Sequence, residues 1–449
     1  MSSELRAFSS QIERVLREEF GLDPVNQLIR FEFLSRSKNP DAYDRARRDY
    51  GDALAIRTSS DGTSRLTYYG DEFGVHIEGV YPRSDLDGCP PGLEFYHPIC
   101  SIDEILRIAN QVNGWDALLA LRADAIADSA RLTRVFLNRK RRVETGWSLT
   151  SHFDRRPFDQ YVALLSEQDR EKCANVAAGM AFLREPNGAC IRYPVGDVLV
   201  VSESLEWFLY YMNLFVAYRD EVPRQDALAA LVLAVRTMLL TEAPDFDLDP
   251  RGFPPSDLDA RCRGMVNDQI LFIVGHEYAH LLLNHLDTRT AVDVPCGVMP
   301  TNVVPQDARY YSPRQWQEFE ADAGSILHIT GDEELIADLL NGATWFFLGL
   351  EVFYGINDYI NPRTSAPKSH PDPVERIWAL RKSVLQRHSL SSELSYSDVE
   401  IEELITSIQK IRDDLVREFV PFNVDELERY GSIYLPSFRP AELIDRIDF

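Results

Sequence analysis

The stretch 270–286, ILFIVGHEYAHLLLNHL, constrains this chain more than any other. It is an apolar run of helical length in which His276, Glu277 and His280 stand as H-E-x-x-H. Residues four apart share a helix face one turn apart, so both imidazoles can reach one metal ion. Glu277 lies one step round the helix, where its carboxylate can reach a water held by that metal without ligating it. Two histidines and a glutamate base on an otherwise apolar helix make the donor set of a zinc hydrolase. The same residues also fit a pair of satisfied core histidines, so the rest of the chain has to decide.

A second helical stretch, Q-E-F-E-A-D-A-G-S-I at 317–326, carries Glu318 and Asp322 four apart and therefore on one face. Zinc in a hydrolase takes three protein ligands and keeps one position open. His276, His280 and Glu318 supply those three. Asp322, one turn on, is placed to accept the remaining N–H of a ligand histidine and so set its tautomer. Glu320 is a rival ligand in the same stretch, and an ordinary acidic helix face is the plainer alternative. Glu318 is preferred because only it has a carboxylate partner four residues on. A third segment, SHPDPVERI at 369–377, holds His370 and Arg376. Read alone, it is a surface loop stiffened by Pro371 and Pro373.

Taken together, HEYAH, EFEADA and SHPDPVERI stand in the order in which the HtpX and CAAX-prenyl-protease family of gluzincin metallopeptidases shows its three motifs. The chain resembles that family over roughly 195–390. The resemblance implies a zincin-like catalytic domain with one Zn2+ per chain, ligated by His276, His280 and Glu318. It implies a catalytic Glu277 and a supporting Asp322. It places His370 and Arg376 near the active site, His370 touching the oxyanion or the open zinc position. His285 matches a histidine frequent in the soluble branches and is expected to support a ligand. The first 185 residues have no counterpart in the family, and many relatives carry membrane helices for which this sequence shows no uninterrupted apolar run.

The chain has 449 residues, too many for one core, and suggests two or three domains. We expect a predominantly helical α+β protein: an N-terminal α+β domain (1–185), a metallopeptidase domain (186–390) with a small sheet, and a helical tail (391–449). A helix over 4–20, a β-meander over 53–81 and a helix opened by the Ser101/Glu104 capping box are expected in the first part. A second helix over 115–136 runs into Arg139-Lys140-Arg141-Arg142, read as a solvated helix end. The segment 157–182 reads as helical. In DVLVVS, Val198, Leu199, Val200 and Val201 are expected to form an edge strand that a substrate could extend. Two Pro-rich linkers, 243–259 and 287–313, flank the H-E-x-x-H helix at lengths that suggest function.

Lys+Arg 47 against Asp+Glu 71 gives a net charge of -24, which disfavours a nucleic-acid surface. Six cysteines without a C-x-x-C pair read as free thiols in a reducing compartment. The polar start MSSELRAFSSQIERVL lacks a signal-peptide core, so the expected location is cytoplasmic. The expected function is a zinc-dependent endopeptidase acting on a protein or peptide substrate. Its N-terminal half would bind a regulatory partner and hold the site latent until a stress or phage trigger. The competing readings are a catalytically inert metal-binding interaction module and a purely structural cluster; the intact Glu277 argues against the inert one.

Overall fold

A computed structural model describes residues 3–50, 55–58, 64–143, 145–183, 186–285, 313–362 and 370–439. The protein is α+β and mostly helical. Its contacts divide it into two compact units, one holding residues up to Gln111 and Leu119–His152, the other Val112–Leu118 and the chain from Phe153 on.

The first unit contains α1 (Ser3–Glu18), β1 (Gln27–Ser35), α2 (Pro40–Tyr50), β2 (Ala55–Thr58), β3 (Ser64–Tyr69) and β4 (Phe73–Pro82). After these come α3 (Ile102–Ala109), most of α4 (Gly114–Ala127), α5 (Ala130–Arg142) and α6 (Leu149–His152). The strands form one antiparallel sheet in the order β1-β4-β3-β2. Val15 and Leu16 of α1 bury against Phe73, Val75 and Ile77 of β4, as the helical spacing of the apolar residues requires. The meander is present, but β1 joins its far edge from outside the expected span. The capping box of α3 forms with both of its bonds. The single helix expected over 115–136 is two, because the Ser129 side chain caps a new start by accepting from the Leu132 N–H. The basic cluster that ends α5 is only partly solvated. Arg139 is buried over the Phe136 ring and the Lys140 ammonium donates to the Pro98 carbonyl.

The second unit begins with α7 (Arg156–Leu164), α8 (Glu167–Cys173), β5 (Ala177–Ala181), β6 (Gly188–Tyr193) and β7 (Gly196–Ser202). The helices α9 (Glu203–Val216), α10 (Arg224–Met238), α11 (Ser256–Leu282), α12 (Pro313–Leu327) and α13 (Glu333–Ile360) follow. The unit closes with α14 (Pro373–Leu385), α15 (Asp398–Asp414) and α16 (Val420–Glu428). Helix α11 is the axis of this unit, packed against α7, α9, α12 and α13.

Three expectations are corrected here. The unit takes in Val112–Leu118 and runs from Phe153 rather than 186, because α7 and α8 pack on α11 and β5 joins β7. The segment from 391 is no separate tail, since α15 packs on α13 and α16 on α10. Strand β7, with Val198, Leu199, Val200 and Val201, is central rather than an edge: β5 pairs with it in parallel and β6 antiparallel. All four side chains are buried, and an unbroken aliphatic run is what a strand covered on both faces demands. The outer strand beside α11 is β6.

The linker 243–259 is held from within. Arg251 is fully buried, with Nε donating to Glu242 at 2.8 Å and Nη2 to Asp245 at 2.7 Å. The segment 430–438 closes over it: Ala243 N–H bonds Gly431 O, Leu435 N–H bonds Arg251 O, and the Tyr434 hydroxyl bonds Asp249. Part of the expected linker is helix, because α11 starts at Ser256. The second linker, 287–313, lies outside the described residues up to Pro313, where α12 begins. Helix α13 is long and apolar enough to cross a membrane, but 83% of its apolar window is buried inside the protein, as in a core helix.

Candidate metal centre

Helices α11 and α12 approach closely because their facing positions are small. A Cβ added at Gly324 would lie 2.8 Å from Ala279 Cβ, and one at Gly275 would lie 3.1 Å from Ser325 Cβ. Tyr161 of α7 stacks on Tyr278 and donates its hydroxyl to Ser325 O, tying both helices to a residue expected in another domain. This packing turns Glu318 toward the histidine face of α11.

His276, His280 and Glu318 each offer a ligand atom within 4.8 Å of the others and could hold a metal ion. The two Nε2 atoms lie 3.1 Å apart. From them the Glu318 oxygens stand at 3.6 Å (His276) and 3.7 Å (His280). Ligands at the ~2.0–2.1 Å usual for zinc would be spaced by about 3.3–3.4 Å in a tetrahedron, so small side-chain adjustments complete the set. Oε2 of Glu318 is buried without a hydrogen bond and faces His370, His276 and Arg376 at 3.4, 3.6 and 3.8 Å.

The electrostatics agree. Burial opposes the charge of His276, yet Asp322 and Glu318 outweigh it and raise its pKa to about 10. Burial and the neighbouring His276 charge push His280 down to about 3. His276 Nδ1 lies 2.9 Å from Asp322 and its Nε2 3.1 Å from His280 Nε2. Glu318, although buried, is held well below the usual carboxylate range by His370, His276 and Arg376.

The residues around the three ligands have distinct places. Asp322 is fully buried and takes both a bond with His276 and a bidentate bond from Arg376, with Nε at 2.7 Å and Nη2 at 2.6 Å. Arg376, expected near the active site, lies 3.8 Å from Glu318 Oε2 and is buried between Asp322 and the Phe347 ring, its guanidinium carbon 4.6 Å from the ring centroid. A guanidinium with both carboxylate oxygens of Asp322 bound is committed to holding that residue. His370 does reach the centre, its Nε2 3.4 Å from Glu318 Oε2, with its side chain one-third exposed. His285 faces away from the ligand atoms and meets His280 Nδ1 at 2.9 Å. Glu320, the rival ligand, points outward and pairs with His285.

Glu277 is buried under β6. A Cβ at Gly188 would lie 3.0 Å from the Glu277 carboxyl carbon, so a larger residue there requires the carboxylate or the strand to shift. Burial raises Glu277 to about 7, and the Cys190 backbone N–H works in the opposite direction by bonding its carboxylate. Ser202 N–H bonds Asn187 O, so by the alternation of an antiparallel ladder Gly188, Cys190 and Arg192 turn their backbone groups to the outer edge of β6. The sequence reading missed this strand's part in the site. Its only local signal is a glycine at the end of a P-N-G turn and the start of a strand. Comparison of the chain with family models, curated proteins and solved structures returned no match.

Proposed function

We propose that the protein is a zinc-dependent endopeptidase with a zincin-like second unit, of the gluzincin type that its three motifs resemble. One observation carries this reading: two helices bring two imidazoles and a carboxylate to near-tetrahedral spacing beside a buried glutamate.

His276, His280 and Glu318 would hold the ion, which when bound polarises a carbonyl and lowers the pKa of water toward about 7. Glu277 sits one helix position from His276 and is buried, with the Cys190 N–H beside its carboxylate. It takes the proton of the attacking water and passes it to the leaving amine. His370, partly exposed at the rim of the ligand set, donates to the developing oxyanion. The outward backbone groups of β6 bind an extended peptide as an added strand.

The test is paired metal analysis and cleavage of unfolded casein. Glu277→Gln is expected to retain one zinc per chain and to lose cleavage by at least about a hundredfold. Glu318→Ala is expected to lose the metal itself. Cleavage by Glu277→Gln at the wild-type rate would sink the assignment.

A further inference from the structure

We propose that His285 and Glu320 form a positioning relay for His280, separate from the Asp322–Arg376 pair that holds His276. This inference rests on the reading of His276, His280 and Glu318 as metal ligands. A histidine that ligates through Nε2 keeps its proton on Nδ1 and needs an acceptor there. For His276 that acceptor is Asp322. For His280 the partner at Nδ1 among the described residues is Nδ1 of His285, 2.9 Å away.

That contact fixes the protons of two rings. Nδ1 of His285 must be bare to accept from His280, so its proton lies on Nε2. Nε2 of His285 is 3.2 Å from Glu320 Oε2, a carboxylate that accepts it. The chain of bonds runs His280 Nδ1–H to His285 Nδ1, then His285 Nε2–H to Glu320. Every donor in it meets an acceptor, and only one tautomer of each ring permits this. Helical spacing did not predict it, because His285 stands beyond the end of α11, where the chain leaves helical geometry: Asn284 has φ 57°. That left-handed residue swings His285 back under His280. Glu320 comes from α12, so the relay also ties the last ligand of α11 to the helix that supplies Glu318.

The two supports differ in kind. Asp322 is fully buried and clamped by a buried guanidinium, whereas the Glu320 side chain is 62% exposed. The relay therefore acts on the orientation of His280 through His285, and Glu320 has no route to the metal except through that ring.

The experiment is competitive titration of the full chain with Co2+ against a chelator of known affinity, with the visible spectrum of bound Co2+ recorded for each variant. His285→Ala is expected to weaken Co2+ binding 10–100-fold and to shift the spectrum. His285→Gln, whose carbonyl can accept from His280, is expected to recover most of that loss. Glu320→Ala is expected to cost several-fold in the wild-type background and nothing further in His285→Ala. Glu320 is exposed, so this variant keeps the test alive even where His285→Ala does not fold. Equal Co2+ affinity of wild type and Glu320→Ala, or losses that simply multiply in the double variant, would overturn the relay. If wild-type protein binds no Co2+, the metal reading fails, and the relay fails with it. Tight wild-type binding that Glu318→Ala abolishes and the relay variants leave unchanged defeats the relay alone.

Discussion

At the scale of single residues, the candidate centre is a problem of burying charge. Asp322 and Arg376 are buried together, and each offsets much of the cost of burying the other's charge, with His276 beside Asp322 and Glu318 beside Arg376. The pair does more than cancel charge, because the bidentate bond leaves Asp322 one direction in which to meet His276. Truncating either partner strands the other. Arg376→Ala and Asp322→Ala are each expected to lower the free energy of unfolding by about 3–5 kcal/mol, measured by urea denaturation of the metal-free protein. The double variant Arg376→Met/Asp322→Leu, with no stranded charge, is expected to be more stable than either single one. A fully stable Asp322→Ala protein would show that Glu318, whose Oε2 lies 3.8 Å from Arg376 Nη2, is enough to hold the guanidinium.

At the scale of elements, the spacing of α11, α12 and β6 decides what the side chains can do. Gly275 and Gly324 let the helices meet closely enough for Glu318 to face the imidazoles. Gly188 lets β6 pass over Glu277. A methyl group at 188 must displace either the strand or the carboxylate, while the three ligands lie elsewhere on α11 and α12. Gly188→Ala is therefore expected to lower kcat for casein cleavage about tenfold or more with Co2+ affinity unchanged. A variant that loses metal as well would mean that β6 supports the ligands rather than the base.

At the scale of the whole molecule, the second unit is closed by its own C-terminal segment. Glu242, Asp245 and Asp249 surround the buried Arg251, and 430–438 adds backbone bonds to the same loop. This makes 243–255 a structural latch rather than a lid. Arg251→Met would leave three buried carboxylates around an apolar side chain. It is expected to cost about 3–5 kcal/mol and to open trypsin-sensitive sites near Arg236 and Arg429, detected by limited proteolysis with mass spectrometry. Unchanged proteolysis would show that backbone bonds alone hold the latch.

Much of the centre was legible in the chain, because helix periodicity is local. The spacing of His276, Glu277 and His280, and of Glu318 and Asp322, follows from 3.6 residues per turn and needs no tertiary knowledge. The capping box at Ser101 and the helices around it were legible for the same reason. What the sequence could not carry is which elements meet. Aliphatic Val198–Val201 suits any strand, and only pairing with β5 and β6 makes it central. Arg376 in the SHPDPVERI segment suits several roles, and only the position of Asp322 makes it a clamp. Residues 153–181 carry no mark of their unit until α7 and α8 pack on α11. Local spacing specifies which face a side chain takes, whereas partners across long stretches of chain are chosen by the packing of whole elements.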